Sequence, residues 1–253
     1  MAQSQKHGFI FENEIRTKVF GLDAAENDTN IHDIPSVFNK YNNNENISIK
    51  VTMSGCICCG DILRFMQYDF SKKNTMIVIL CDQIGELKIV KTIYEIDYNR
   101  HCHNMLFGTL SYHQLKHYVD SVKSIPTNVK GKEAKNIFNY LDEKKELNKL
   151  YNFKININPK VDGSQSRVQC SVPIKLLEPY ITYKSSSEHP NIVRGAEIVK
   201  TIVSSTRERK GVTLSKLRDI CKNNKGICRG FTKLAKEELV EFLKAKNLYP
   251  EPH

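Results

Sequence analysis

No stretch of this chain approaches the roughly 18 consecutive apolar residues that cross a bilayer as a helix, so no transmembrane segment is expected. The opening residues, MAQSQKHGFIFENEIR, carry acidic side chains and no signal-type apolar segment. An intracellular, non-secreted protein of the cytoplasm or nucleus is the expectation. Neither a P-loop nor a dinucleotide-binding glycine pattern occurs, which argues against a nucleotide cofactor. There is no G-x-S-x-G, and the histidines are scattered apart from His101 and His103, so nucleophilic catalysis by serine or cysteine has no supporting arrangement. No internal repeat is found.

What is present is an ordinary globular composition, 40% hydrophobic and 26% charged. The 253 residues suffice for one large domain, or one domain with a small module. Lysine and arginine exceed aspartate and glutamate by 38 to 28, a formal net charge of +10. Such an excess favours a polyanionic partner, nucleic acid first and an acidic membrane surface second. Eight cysteines without an export signal read as reduced thiols rather than a disulfide framework.

Hydrophobic spacing predicts a helix over 8–20, with Phe11, Ile15 and Val19 on one face. A polar loop follows at 23–30, then IHDIPSVF, where Pro35 pushes Ile34 toward extended backbone. Residues 47–52 alternate as a half-buried strand, and 60–68 read as a helix. TMIVILC at 75–81 is a buried strand, with 87–96 as its antiparallel or mixed neighbour. A charged helix over 132–151, a strand-rich stretch from 153 to 183 and a loop at 185–191 come next. For VKTIVSSTRERKG the sequence leaves a linker and a core element both open. From 207 onward a lysine-dense tail reads as two short helices around a glycine-containing bend. The alternation of helix and strand indicates a layered α/β core.

Glu12 on a helix, Asp33 entering an extended segment and Lys50 closing a strand can meet at one end of a small sheet. Two carboxylates there suit Mg²⁺, a hard cation that prefers oxygen and keeps several waters. A nearby lysine can assist the attacking water or neutralise charge developing on a phosphate. Taken singly, each residue also has a plain reading, as a solvated helix residue, a turn former and a strand-end charge. Asp61 is read first as a helix N-terminal residue favoured by the dipole, and second as a ligand.

GFIFENEI, HDIP and ISIK, followed by a helix near CGDILRF, resemble the PD-(D/E)xK nuclease superfamily, type II restriction endonucleases in particular. Over roughly residues 7–97 the resemblance implies a restriction-endonuclease-like mixed central sheet flanked by helices. It also implies divalent-metal-dependent cleavage of double-stranded DNA, with Mg²⁺ as cofactor and Mn²⁺ as a substitute. Asp33 would be the strand carboxylate, Lys50 the motif lysine and Glu12 the helical carboxylate, with Glu12 and Asp33 holding the metal. Two positions before the lysine, where the superfamily usually has Glu, Asp or Gln, stands Ser48, so either Glu12 or Asp61 supplies the missing ligand or the enzyme is weak or inactive. A homodimer is expected, because cutting both strands of a palindrome is most simply done by a two-fold pair.

Gln165, Arg167 and Gln169 share strand parity in INPKVDGSQSRVQCSV, with Lys160 nearby. Arg and Gln pair with guanine and adenine edges, so sequence readout is expected here. The tail resembles SAP-type DNA-binding modules through Leu214 and Leu217, then Gly230, then KLAKEELVEFL. That resemblance implies phosphate contacts, for which Lys222, Lys225, Arg229, Lys233 and Lys236 are the candidates. The domains expected are a nuclease domain over 1–188, with recognition elements at 127–183, and a helical module over 207–253.

Two alternatives remain open. One is a DNA-binding protein on the same fold without catalysis, which Ser48 keeps alive. The other is a zinc-dependent nucleic-acid-binding protein built on Cys56 and Cys59, with partners drawn from His101, Cys102 and His103 or from Cys221 and Cys228. Packing as small hydrophobes is the plainer reading of these cysteines.

Overall fold

The computed structural model describes residues 3–23, 32–84, 87–162, 165–203, 218, 221–222 and 236–246. The chain forms two compact units, Met1–Ser204 and Ser205–His253.

In the first unit, β1 (Glu45–Thr52), β3 (Lys73–Ile84) and β4 (Leu87–Asp97) build the main sheet. β1 runs parallel to β3, and β3 antiparallel to β4. The far edge of β4 is shared by β7 (Ile181–Lys184) and β10 (Thr201–Val203), which pair with its opposite ends. A second, antiparallel sheet has the order β2 (Cys56–Asp61), β6 (Gln165–Pro173), β5 (Asn156–Asp162). A short hairpin, β8 (Ile192–Val193) and β9 (Ala196–Glu197), completes the strands.

The apolar run of β3 is buried on both sides, and its parity divides two cores. Met76 and Val78 join Ile96, the second sheet and the helices α2 (Ile62–Met66), α3 (Arg100–Phe107) and α4 (Tyr112–Lys123). Ile77 and Ile79 face Ile47 and Ile49 of β1 together with Phe11, Ile15 and Val19. Those last residues lie on α1 (Gln3–Glu14) and on the π-helical turn Ile15–Phe20 that continues it. A mixed sheet between helical layers is what the alternating pattern predicts.

Several local expectations change. Ile34 is extended, as Pro35 requires, but residues 32–38 make only one bridge, Ile34 to Ile47, and a 3-10 turn, Ser36–Phe38. The helix expected over 60–68 is only the five residues of α2, because CICCGD is drawn into the second sheet by β6. The helix expected over 132–151 is two, α5 (Gly131–Ile137) and α6 (Tyr140–Tyr151). Phe138 is extended between them, φ −150° and ψ 120°, and packs against the core. The helices α3 and α4 go beyond the sequence expectation, and Thr201–Val203 is a strand. The first unit therefore runs past 188 to Ser204, since β8, β9 and β10 complete its sheets.

Arg194 and Gly195 join β8 to β9 with φ of 50° and 77°. Two left-handed residues match the twist of a tight hairpin, but a non-glycine residue there costs of order 1 kcal/mol. The side chain supplies the reason for the arginine. Its guanidinium donates to both oxygens of Glu45 (3.0 and 3.1 Å) and to Glu95 (2.9 to 3.2 Å). Burial opposes ionisation of Glu45, yet the bonds from Arg194, Thr75 and Asn39 overcome it and hold the carboxyl at about 2.

In the second unit, α7 (Lys236–Ala245) buries Leu239 and Leu243, one turn apart. This is the helix expected from KLAKEELVEFL.

Candidate active site

β1 is the edge of the main sheet, and its alternation sends Ile47 and Ile49 into the core while Ser48 and Lys50 turn to the opposite side. There they line a cavity of about 440 Å³ with Gly8, Phe9 and Glu12 of α1, Asp33, the β2 residues Cys58, Cys59, Gly60 and Asp61, and Arg64, Phe65 and Tyr68. Glu12, Asp33, Ser48, Lys50 and Asp61, the five candidate catalytic positions, thus share one cavity.

Asp33 is held closely. Its Oδ2 accepts the Ile49 N–H at 2.5 Å and lies 3.2 Å from Lys50 Nζ. Arg16 donates to the Asp33 carbonyl oxygen from the π-helical turn. Asp61 caps α2: its Oδ1 accepts from Leu63 N–H at 3.0 Å and Arg64 N–H at 3.1 Å. The cap agrees with its first reading, and the same residue lines the cavity. Ser48 Oγ lies 2.9 Å from Tyr68 Oη, which in turn is 3.3 Å from His32 Nδ1. Burial raises the Tyr68 phenol far above its usual range and lowers His32, the latter with help from the Lys50 and Arg64 charges.

The sequence separates the cysteines from the strand before them, but Cys58 and Cys59 line the same cavity as Lys50. A bulge between Cys58 and Gly60 brings this about. Gly60, at φ 76°, takes the left-handed backbone there, and Asp61 re-enters register opposite Gln169. Cys81 is buried in the core, as expected. Cys102 is also buried; desolvation pushes its thiol up to about 12, and His101 and His103 bond Tyr180 and Tyr98. Among the described residues no three His, Cys, Asp or Glu side chains converge as a metal-ligand cluster, and Cys228 lies outside those residues.

The candidate readout strand connects to this cavity through register. On β6, Val168, Cys170 and Val172 are buried, leaving Gln165, Arg167, Gln169 and Ser171 on the outer face. Across β2 they meet Asp61 and Cys58; across β5 they meet Asp162, Lys160, Asn158 and Asn156. One polar face therefore runs from the cavity wall over Gln169 to Lys160 and Arg167, which stand directly opposite each other and are exposed. Gln165 bonds Asp162 at 3.0 Å, and Asn158 bonds Ser171 at 3.0 Å.

In the second unit Lys222 is exposed. Lys225, Arg229 and Lys233 lie outside the described residues, as do Leu214, Leu217, Gly230 and Leu234, and Lys236 is described only as the first residue of α7.

Arg64, Tyr68 and Cys58 are cavity residues that sequence reasoning missed. Arg64 had a weak signal, standing three residues after the cap Asp61. Tyr68 had none, since it meets Ser48 across 20 residues of chain. No family model, curated protein or solved structure matches the chain. No helix among the described residues is long and apolar enough to cross a membrane.

Proposed function

We propose that this protein is a Mg²⁺-dependent endonuclease that hydrolyses phosphodiester bonds in double-stranded DNA, with sequence preference of the restriction type. The observation that carries the reading is the convergence of Glu12, Asp33, Lys50 and Asp61 on one cavity, with the Lys50 ammonium on the Asp33 carboxylate. These residues come from separate elements, so their meeting is not a consequence of sequence proximity.

The donors suit the ion. Mg²⁺ keeps several waters and takes one or two carboxylates together with substrate phosphate oxygens. It therefore needs no closed cluster of three protein ligands, and Glu12 and Asp33 are the residues that would hold it. Mn²⁺ would take the same oxygens. The ion would supply charge neutralisation and a more acidic water. Lys50 orients the attacking water and compensates the charge that develops on the phosphate. Asp33, paired with Lys50 and the Ile49 amide, fixes the ammonium toward the cavity. The wall formed by Phe9, Phe65 and Met76 makes part of the cavity apolar, which strengthens these interactions.

Support for a polyanion comes from the outer face of the second sheet. Lys160 and Arg167 are like charges directly across a ladder, an arrangement that destabilises a sheet unless an anion neutralises it. With the net charge of +10, a duplex laid over this face would bring its backbone to the cavity and its bases to Gln165, Arg167 and Gln169. The tail, as a SAP-like module, would add phosphate contacts through Lys222, Lys225, Arg229, Lys233 and Lys236. A homodimer would cut both strands.

Digestion of DNA of known sequence with Mg²⁺ and with Mn²⁺, followed by sequencing of the ends, tests the reading. Defined ends support it. DNA that stays intact with both ions, over many sequences, overturns it, and intact DNA that is nonetheless bound points to the binding protein without catalysis.

A further inference from the structure

Ser48 is 2% exposed, and it leaves β1 on the same side as Lys50. Its hydroxyl partner is Tyr68 Oη at 2.9 Å, and that hydroxyl has a second partner in His32 Nδ1 at 3.3 Å. The Tyr68 ring is clamped by its neighbours. It stands edge-on to His32 and to Tyr98, both at 5.1 Å between centroids, and to Phe65 at 5.8 Å; Phe70 lies tilted at 6.0 Å. A ring so enclosed holds its hydroxyl at a fixed point.

Tyr68 has one proton to place between two partners. If it donates to Ser48, the Ser48 proton turns toward the cavity. If it donates to His32, Ser48 donates to Tyr68 and its lone pairs face the cavity. Lys50 and Arg64 line the same space, and their positive charge favours the second arrangement. The serine then offers an oxygen acceptor without carrying a negative charge.

We propose that Tyr68 is a positioning residue that turns the Ser48 Oγ lone pairs into the cavity, making Ser48 a neutral oxygen ligand for a divalent cation beside Asp33. This rests on the metal-dependent reading above and deepens it: the position lacking an acid still supplies an oxygen, and Tyr68 determines which way that oxygen faces. Tyr68 touches no reacting atom; it acts through Ser48.

The test is calorimetric titration of the full chain with Mn²⁺, the fold of each variant being checked by thermal melting. Removal of a partner that orients a ligand typically weakens metal binding about 10- to 100-fold. Tyr68→Phe keeps the ring and removes only the hydroxyl, and it is expected to weaken Mn²⁺ binding by about tenfold. Ser48→Ala should weaken it at least as much, and the double variant no further than Ser48→Ala alone. Ser48→Asp should restore binding in the Tyr68→Phe background, because a carboxylate needs no partner to turn a lone pair outward. A Tyr68→Phe protein that binds as wild type, losses that multiply in the double variant, absence of rescue by Ser48→Asp, or a wild type that binds no Mn²⁺ would each overturn the proposal. A wild type that binds Mn²⁺ with the expected pattern yet leaves DNA uncut would refute the nuclease reading alone.

Discussion

Lys50 Nζ lies 3.2 Å from Asp33 Oδ2, the same oxygen that accepts the Ile49 N–H at 2.5 Å. The aspartate is thus tied to the backbone of β1 one residue before the lysine it pairs with. Both side chains are about three-quarters buried, at 25% and 23% exposure, so the pair keeps its geometry while remaining open to the cavity.

Lys50→Ala should therefore lower Mg²⁺-dependent cleavage by about 10²- to 10³-fold, the range for loss of one preorganised donor aimed at charge that develops in the transition state. DNA retention in a gel-shift assay without divalent ions should be nearly unchanged. Loss of a partly exposed pair costs about 0–1 kcal/mol, so the fold should survive. Equal loss of cleavage and of DNA retention would contradict the assigned role.

On the polar face of the second sheet, the residue types predict different outcomes. Arg167→Ala and Gln169→Ala should relax sequence preference, each by about 1–3 kcal/mol of discrimination between bases. Lys160→Ala should weaken binding evenly across sequences and reduce the slope of log K against log salt by about one. Binding to a randomised duplex library, with a salt titration of the selected site, separates the two effects.

Arg194 joins Glu45 and Glu95, so Arg194→Ala leaves two largely buried carboxylates without their shared cation. Breaking a buried pair in this way costs about 3–5 kcal/mol, to be read as a lower urea midpoint. The same network sets a pH dependence. The folded-state pKa of Glu45, about 2, lies below its ordinary 4.5. The resulting stability is fully present above about pH 4.5 and is lost as pH falls toward 2. Glu45→Gln should remove that part of the acid transition, measured by urea unfolding at stepped pH.

Asp61 serves α2 through its Oδ1. Asp61→Ala should cost about 1 kcal/mol, whereas Asp61→Ser, which keeps a capping oxygen, should come within a few tenths of wild type. If Asp61→Ser is stable but inactive, the carboxylate is also needed in the cavity; if it is both stable and active, the residue is a cap alone. Thermal melting and cleavage rates on the same two variants decide.

Much of the main sheet is readable locally. ISIK alternates, and the unbroken apolar run of β3 can be buried only if both its faces are covered, which the two cores on either side satisfy. Asp33, Lys50 and Glu12 were legible through residue type and order. β2 was not, because CICCGD lacks a clean alternation and its bulge between Cys58 and Gly60 breaks the period on which strand recognition depends. The helix break at Phe138 escaped for a related reason: helical spacing continues through it, and only the core that receives its side chain interrupts it.

By itself, the sequence determined the parities and the charge: which side of β1 carries Ser48 and Lys50, which side of β6 carries Gln165, Arg167 and Gln169, and an excess of cations. These follow from the two-residue period of a strand and from composition, and neither depends on distant partners. The tertiary structure alone decided that Ser48 and Lys50 share one cavity with Cys58 and Cys59, that Tyr68 meets Ser48 and that Asp61 stands opposite Gln169. Those meetings rest on non-local pairing of β1 with β3 and of β2 with β6. The pattern of a short window records burial but not the partner that provides it.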